Sequence, residues 1–270
     1  MRKVLSIAGS DCSGGAGIQA DIKTIMAHQM YAMSVITSIT AQNTLGVMGR
    51  EDCNSTIVEQ QLESVLSDIY PDAVKIGMVP NLSIAECIVD KLKEYEIKNI
   101  VIDPVMISSS GHHLIDFDVM EYVQGQLYPL ATLITPNLSE AAFLSKHELN
   151  TKEDMIVVAD ILQQQFGCSI LLKGGHLVHS ADDLLYMKNQ IIWVEGDRIN
   201  SNDTHGTGCT MSSSIACYLA YGYNLIHSVQ YAKEYITRAI KTGLHIGKGN
   251  GPLNHLVTTQ FGNNKEKINN

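Results

Sequence analysis

Between Thr204 and Ile215 the chain reads THGTGCTMSSSI, a glycine-rich loop leading into a segment with helical composition. Such a loop turns backbone N–H groups and the positive end of a helix dipole toward an anion, whether a phosphate or the charge that develops as a phosphoryl group moves. Gly206 and Gly208 are the candidate cradle. Cys209 stands where a carboxylate would be the usual choice to take a proton from an attacking alcohol. A thiol at a helix N-terminus can be drawn down from about 8.5, and the resulting thiolate accepts a proton near neutrality. Cys209 is therefore expected to be a general base with a lowered pKa; its plain alternative is a small buried residue in the first helical turn. His205, four positions earlier, raises a Cys–His nucleophile pair, but such a pair needs an orienting third group, and none is evident in the sequence.

Further candidates carry oxygen and amide chemistry. Asp103 opens DPVM, where Pro104 fixes a turn, and Asn137 and Glu140 share TPNLSE. Asp103 and Glu140 suit Mg²⁺, which keeps several waters and takes few direct protein ligands. Glu140 can equally be a helix-start charge favoured by the dipole, and the two roles are compatible through water. Gln42 can both donate to and accept from a heterocycle edge, or can bond its own turn. Lys173 ends LKGG, either as a phosphate contact or as an edge lysine. For Asp21, reaching a substrate and capping a helix are equal readings. His112 and His113 are adjacent and would point apart on a regular element, so they are read as lid residues and not as a metal pair.

These residues need a scaffold that brings them to one place. Aliphatic runs at 4–8, 34–40, 73–77, 100–103, 132–135 and 170–173 read as buried strands, and the helical spacing of 57–69, 83–95 and 152–166 is long enough to cross back over a sheet. Alternation of this kind predicts a three-layer α/β/α fold with a mostly parallel central sheet and no separate lid domain. A hairpin is expected at 184–187 and 191–195, followed by helices at 209–220 and 225–243. Residues 1–261 are read as one domain, with a frayed polar tail at 262–270. Each chemical segment follows a strand, which is where open parallel sheets bind ligands.

Composition narrows the partners. A chain of 270 residues with 45% hydrophobic and 17% charged residues can bury a large core, and a formal charge of -9 argues against nucleic acid or an anionic membrane as partner. Six cysteines without a CxxC pair give neither a zinc site nor a disulfide framework, and reduced thiols in a cytoplasmic protein are expected. Cysteines 12, 53, 87, 168 and 217 are read as small apolar fillers. The apolar start VLSIA is broken at Gly9, so neither export nor a membrane span is expected.

In order along the chain, AGSDCSGGAGIQAD, TAQNTLGV, KIGM, DPVM, TPNLSEA, LKGGH, THGTGCT and GPLNH occupy residues 8 to 255. Together these resemble the hydroxymethylpyrimidine and phosphomethylpyrimidine kinases of the ribokinase-like superfamily. The resemblance implies a ribokinase-like fold, Mg²⁺ and ATP, and transfer first to a pyrimidine's hydroxymethyl group and then to the monophosphate. It places Gln42, Ala16, Asp21, Met78 and Val105 at the pyrimidine, Asn137, Lys173 and Thr207 at ATP, Asp103 and Glu140 at the metal, and Gly206, Gly208 and Cys209 at the transferred group. It also implies a homodimer. Departures from the family pattern are Cys12 for Ser, Ser108-Ser109 for Ala-Lys, and Asn250 for His. A segment from Ser108 to His113, with Gly111 as hinge, is expected to close over the phosphates. The rival readings are a vitamin B6 kinase, which Ser108 in place of a lid cysteine disfavours, and a non-catalytic pyrimidine-binding protein, disfavoured by intact Asp103, Glu140 and Lys173.

Overall fold

The computed structural model describes residues 1–106, 117–175, 181–188, 190–257 and 259. Among these, nine strands form one sheet: β1 (Lys3–Asp11), β2 (Tyr31–Asn43), β3 (Gly46–Asp52), β4 (Ala73–Ile76), β5 (Ile100–Ile102), β6 (Leu133–Ile134), β7 (Ser169–Leu172), β8 (Asp183–Met187) and β9 (Gln190–Val194). Their spatial order is β3-β2-β1-β4-β5-β6-β7-β8-β9. Strands β2, β1, β4, β5, β6 and β7 run parallel, whereas β3, β8 and β9 join through antiparallel pairings. The expected hairpin is β8–β9. The expected single strand over 34–40 is longer and turns at Thr44-Leu45 into β3, an edge strand that the sequence reading did not contain. Its residues are largely exposed, Met48 among them, so no buried alternation marks it.

Helices cover both faces. Helices α1 (Gly17–Ala27), α7 (Thr207–Tyr221) and α8 (Leu225–Lys241) lie on one side; α2 (Ser55–Leu66), α3 (Leu82–Glu94), α4 (Phe117–Tyr122), α5 (Leu138–Ser145) and α6 (Lys152–Phe166) lie on the other. Alternation within the strands separates two cores. Val4, Ala73, Val101, Leu133 and Leu171 face α7 and α8, whereas Leu5, Val74, Ile76, Ile102, Ile134 and Leu172 face α2 to α6. Burial of each such side chain contributes about 1.5–3 kcal/mol, which is why the short strands β5 and β6 hold at the centre. Asn54, Asn81, Asn137, Thr151 and Asn224 cap helices with side-chain oxygens. Helices α1 and α7 differ: no side chain caps either, and the α7 N-cap is Gly206 with φ 83°.

Candidate active site

At the carboxyl ends of β5, β6 and β7 three expected residues meet. Lys173 Nζ lies 2.7 Å from Asp103 Oδ1, which also accepts from Thr135 Oγ1 at 3.0 Å. Burial pushes the Asp103 carboxyl up, but the Lys173 and Lys75 ammonium groups outweigh it and hold the group below the usual carboxylate range. Burial disfavours the Lys173 charge, and Asp103 and Glu140 more than restore it. Glu140 and Asn137 form a reciprocal capping box on α5, with Asn137 N–H to Glu140 Oε2 at 2.8 Å and Glu140 N–H to Asn137 Oδ1 at 2.9 Å. The capping role read for Glu140 is thus present. Burial and the nearby Asp103 charge push its carboxyl up to about 7, against the pull of Lys173.

The α7 cradle stands directly against this pair. A Cβ on Gly208 would lie 2.9 Å from Asp103 Oδ2 and 3.3 Å from Lys173 Nζ, so only glycine lets the helix start come this close. A Cβ on Gly206 would overlap the Gly15 carbonyl and sit 3.3 Å from Ala16 Cα. The loop after β1 and the loop before α7 therefore touch backbone to backbone. Thr207 bonds the Thr204 carbonyl through its hydroxyl, shaping the loop.

Cys209 is half-buried in the first turn of α7. Its expected lowered pKa is overturned: burial and the carboxylates of Asp21 and Asp103 push the thiol up to about 11, although Lys75 and the Gly17 amide favour the thiolate. Lost hydration and two buried carboxylates outweigh those two pulls.

The substrate-side expectations divide. Ala16 is half-buried at the N-cap of α1, Val105 is half-buried just past Asp103, and Met78 follows β4 with its Sδ over Gly9. Gln42 is half-buried at the end of β2, its backbone N–H 3.3 Å from Cys12 Sγ and its carbonyl accepting from the same thiol at 3.1 Å. Cys12 is exposed, which corrects its reading as an apolar filler; Cys168 and Cys217 are buried as expected. Asp21 is a second correction. It is fully buried, pairs with Lys75 Nζ at 2.8 Å and accepts from Ser6 and Ser213 hydroxyls, so it neither reaches the surface nor caps a helix. Lys75 was not singled out from sequence, because a lysine inside an apolar strand carries no signal of its buried partner. The Ser108–His113 segment, His112 and His113 lie outside the described residues.

The sequence reading also missed what His205 does. Its Nε2 lies 2.9 Å from Asp11 Oδ2, not paired with Cys209, and Asp11 gathers the N–H groups of Ser13, Gly15 and Ala16. Burial raises the Asp11 carboxyl, but His205, Ser13 and Ala16 outweigh it and lower it to about 2.

A metal fits part of this set. The donors are hard oxygens; Asp103 is ionised and turns Oδ2 toward the cradle, while Glu140 already accepts backbone N–H groups from Asn137 and Met106. That combination would suit Mg²⁺, which keeps several waters and takes few direct protein ligands, with Asp103 and Glu140 as the residues to hold it. Among the described residues no helix is long and apolar enough to cross a membrane.

The family model for phosphomethylpyrimidine kinase matches residues 11–254. The chain is 42% identical over 95% of its length to the thiamine biosynthesis bifunctional protein ThiED of Geobacter sulfurreducens, of which it spans about half, 53%. To the hydroxymethylpyrimidine/phosphomethylpyrimidine kinase of Rhizobium meliloti it is 44% identical, covering 93% of this chain and 96% of that one. Among solved structures, phosphomethylpyrimidine kinase from Clostridium difficile superposes with TM-score 0.80 at 46% identity, covering 89% of this chain and 100% of that one. An ADP complex of Bacillus subtilis pyridoxal kinase reaches 0.87 at 38% identity, covering 94% and 97%. The match spans the Asp11 loop, the Asp103–Lys173 pair and the α7 cradle in one frame, and the chain belongs to the phosphomethylpyrimidine kinase family.

Proposed function

We propose that this protein uses ATP to phosphorylate 4-amino-5-hydroxymethyl-2-methylpyrimidine and then its monophosphate, the steps that supply the diphosphate for thiamine biosynthesis. The observation that carries the reading is the apposition of the Gly208 cradle to the Asp103–Lys173 pair, within one loop of Gln42. An ammonium, an ionised carboxylate and an uncapped helix start form a site for a polyphosphate and its cation. Mg²⁺, held by Asp103 and through water by Glu140, would neutralise charge on the β- and γ-phosphates. Lys173 and the Asn137 amide nitrogen bind the phosphate chain, with Thr207 holding the loop against it. The α7 amides at Gly208 and Cys209 stabilise charge on the moving phosphoryl group.

The alcohol oxygen forms its bond to the γ-phosphorus as the bridging bond to ADP breaks. The proton leaves late in such a loose transition state, so a strong base is not required. Cys209 accordingly works as a thiol beside the alcohol, and the proton departs to phosphate oxygen or water. Gln42 reads the pyrimidine edge, with Met78 and Val105 as apolar walls and Ala16 as the floor. The continuous sheet supports 1–261 as one catalytic domain, and the cysteine pattern, with no CxxC pair, supports reduced thiols in a cytoplasmic protein; we assign a homodimer on family resemblance.

Vitamin B6 alcohols are the second reading, favoured by the likeness to the Bacillus pyridoxal kinase. Turnover of the hydroxymethylpyrimidine beside pyridoxal, pyridoxamine and pyridoxine, followed as ADP release, separates the two. The pyrimidine is expected to have the highest kcat/KM, and a higher value for any B6 alcohol would reverse the assignment.

A further inference from the structure

The Gln42 carboxamide is held at both ends. As placed, its nitrogen lies 3.1 Å from His205 Nε2 and its oxygen 3.2 Å from Thr40 Oγ1. Nitrogen and oxygen of a carboxamide have nearly the same shape, so a half-turn about one bond exchanges them, and the partners decide which way the group sits. Both partners decide alike. Thr40 Oγ1 stands 2.9 Å from the Ser10 carbonyl, which only accepts, so the hydroxyl proton goes there and Oγ1 faces Gln42 as an acceptor. His205 Nε2 stands 2.9 Å from Asp11 Oδ2. That carboxylate already accepts from Ser13 N–H and Oγ–H and from the Gly15 and Ala16 amides, so it is ionised and requires a proton on Nε2. A protonated Nε2 facing an amide nitrogen would set donor against donor, whereas an amide oxygen there shares the same proton.

We infer that Asp11 and His205 are positioning residues: they fix the Gln42 carboxamide with its oxygen toward His205 and its nitrogen toward Thr40, and so dictate which way round the pyrimidine lies. The inference rests on the proposed pyrimidine substrate. In that ring the 4-amino group is a donor, the neighbouring ring nitrogen an acceptor, and the hydroxymethyl group is attached beside the amino group, away from that nitrogen. With the amide oxygen on the His205 side, the amino group docks there and the hydroxymethyl group extends further the same way. His205 is bonded directly to Gly206, so that direction leads to the cradle. The reversed amide would turn the hydroxymethyl group toward β2. The imidazole is well placed to act as a fixed donor. It packs on Gly15, where any Cβ would overlap the ring, its residue is 7% exposed, and its backbone N–H bonds the Gly251 carbonyl at 3.0 Å.

The test has two arms. In ¹⁵N-histidine-labelled protein without substrate, the His205 Nε2 resonance is expected to carry a directly bonded proton; an unprotonated Nε2 overturns the inference. In the kinetic arm, His205→Leu should raise the pyrimidine KM about tenfold, the loss of one hydrogen-bonding partner in a buried site, with the ATP KM unchanged. His205→Gln, which keeps an N–H donor at similar reach, should restore most of that loss, and in a Gln42→Leu background His205→Leu should add nothing. A KM effect of His205→Leu that persists at full size without the Gln42 amide overturns the inference. Absence of any pyrimidine turnover in the wild-type protein overturns the substrate reading instead, and the resonance still decides the amide's orientation.

Discussion

The thiol of Cys209 offers the sharpest contrast between local and three-dimensional reasoning. With its pKa pushed up to about 11 by burial, Asp21 and Asp103, only about one molecule in ten thousand carries the thiolate at pH 7. A mechanism that ran through that thiolate would make kcat rise about tenfold per pH unit from 7 to 10, and Cys209→Ala would cost about 10² to 10⁴ in turnover. A thiol that only orients the alcohol gives a different pattern. Loss of one neutral hydrogen bond is worth about 0.5–1.5 kcal/mol, so Cys209→Ala should lower kcat about twofold to tenfold, and Cys209→Ser should recover most of it. Initial rates of ADP release at saturating pyrimidine and Mg-ATP, from pH 6.5 to 10, measure both quantities. The expected wild-type profile rises no more than about twofold from pH 7 to 9, as Glu140 finishes ionising. A slope of one across that range that Cys209→Ala abolishes, with a loss of a thousandfold or more, would refute the thiol assignment and make Cys209 the base.

Three further outcomes follow from the packing. Gly208→Ala should lose at least a hundredfold in kcat/KM with little change in melting temperature, because the added methyl meets the Asp103 carboxylate at 2.9 Å and blocks the cradle without filling the core; near-normal turnover would separate Gly208 from the transfer site. Lys75→Met should destabilise the protein by about 3–5 kcal/mol in denaturant melts by leaving Asp21 buried and uncompensated, and Lys75→Met with Asp21→Asn should be the milder change. His28 is held down to about 4 by burial among Thr24, Ser214, Tyr218 and Tyr235, with Arg238 adding to the effect. The unfolded chain therefore takes up a proton first as pH falls through 6.5, and about 3 kcal/mol of stability present above that pH should be lost on approaching pH 4, in melts that His28→Gln flattens in part.

Much of the fold is written in local pattern. The helical spacing of 152–166 coincides with α6 because Thr151 and Asp154 form a capping box and Gly167 closes the helix at φ 73°. The six parallel strands announce themselves as aliphatic runs because both faces are covered. Strand β3 does not, since an exposed ribbon paired on one edge has no face to bury, and its register is set by a two-residue turn and not by alternation.

The site was legible where one residue type in one segment suffices, and hidden where function depends on a partner distant in sequence. Gly206 and Gly208 before a helix, or Asp103 after a strand, speak for themselves. The Cys209 pKa depends on Asp21 and Asp103, and Asp21 depends on Lys75, which lies 54 positions away. The four-residue spacing of His205 and Cys209 raised a pairing for which the sequence showed no third group, and in the fold a positive-φ glycine at 206 starts the helix after the imidazole and leaves that ring facing Asp11, 194 positions distant. The same two loops explain why AGSDCSGGAG and THGTGCT occur in one chain. Gly15 admits the His205 ring and Gly206 admits the Gly15 carbonyl, so each glycine is required by a residue in the other loop, and together they join the Gln42 side of the site to the phosphate side.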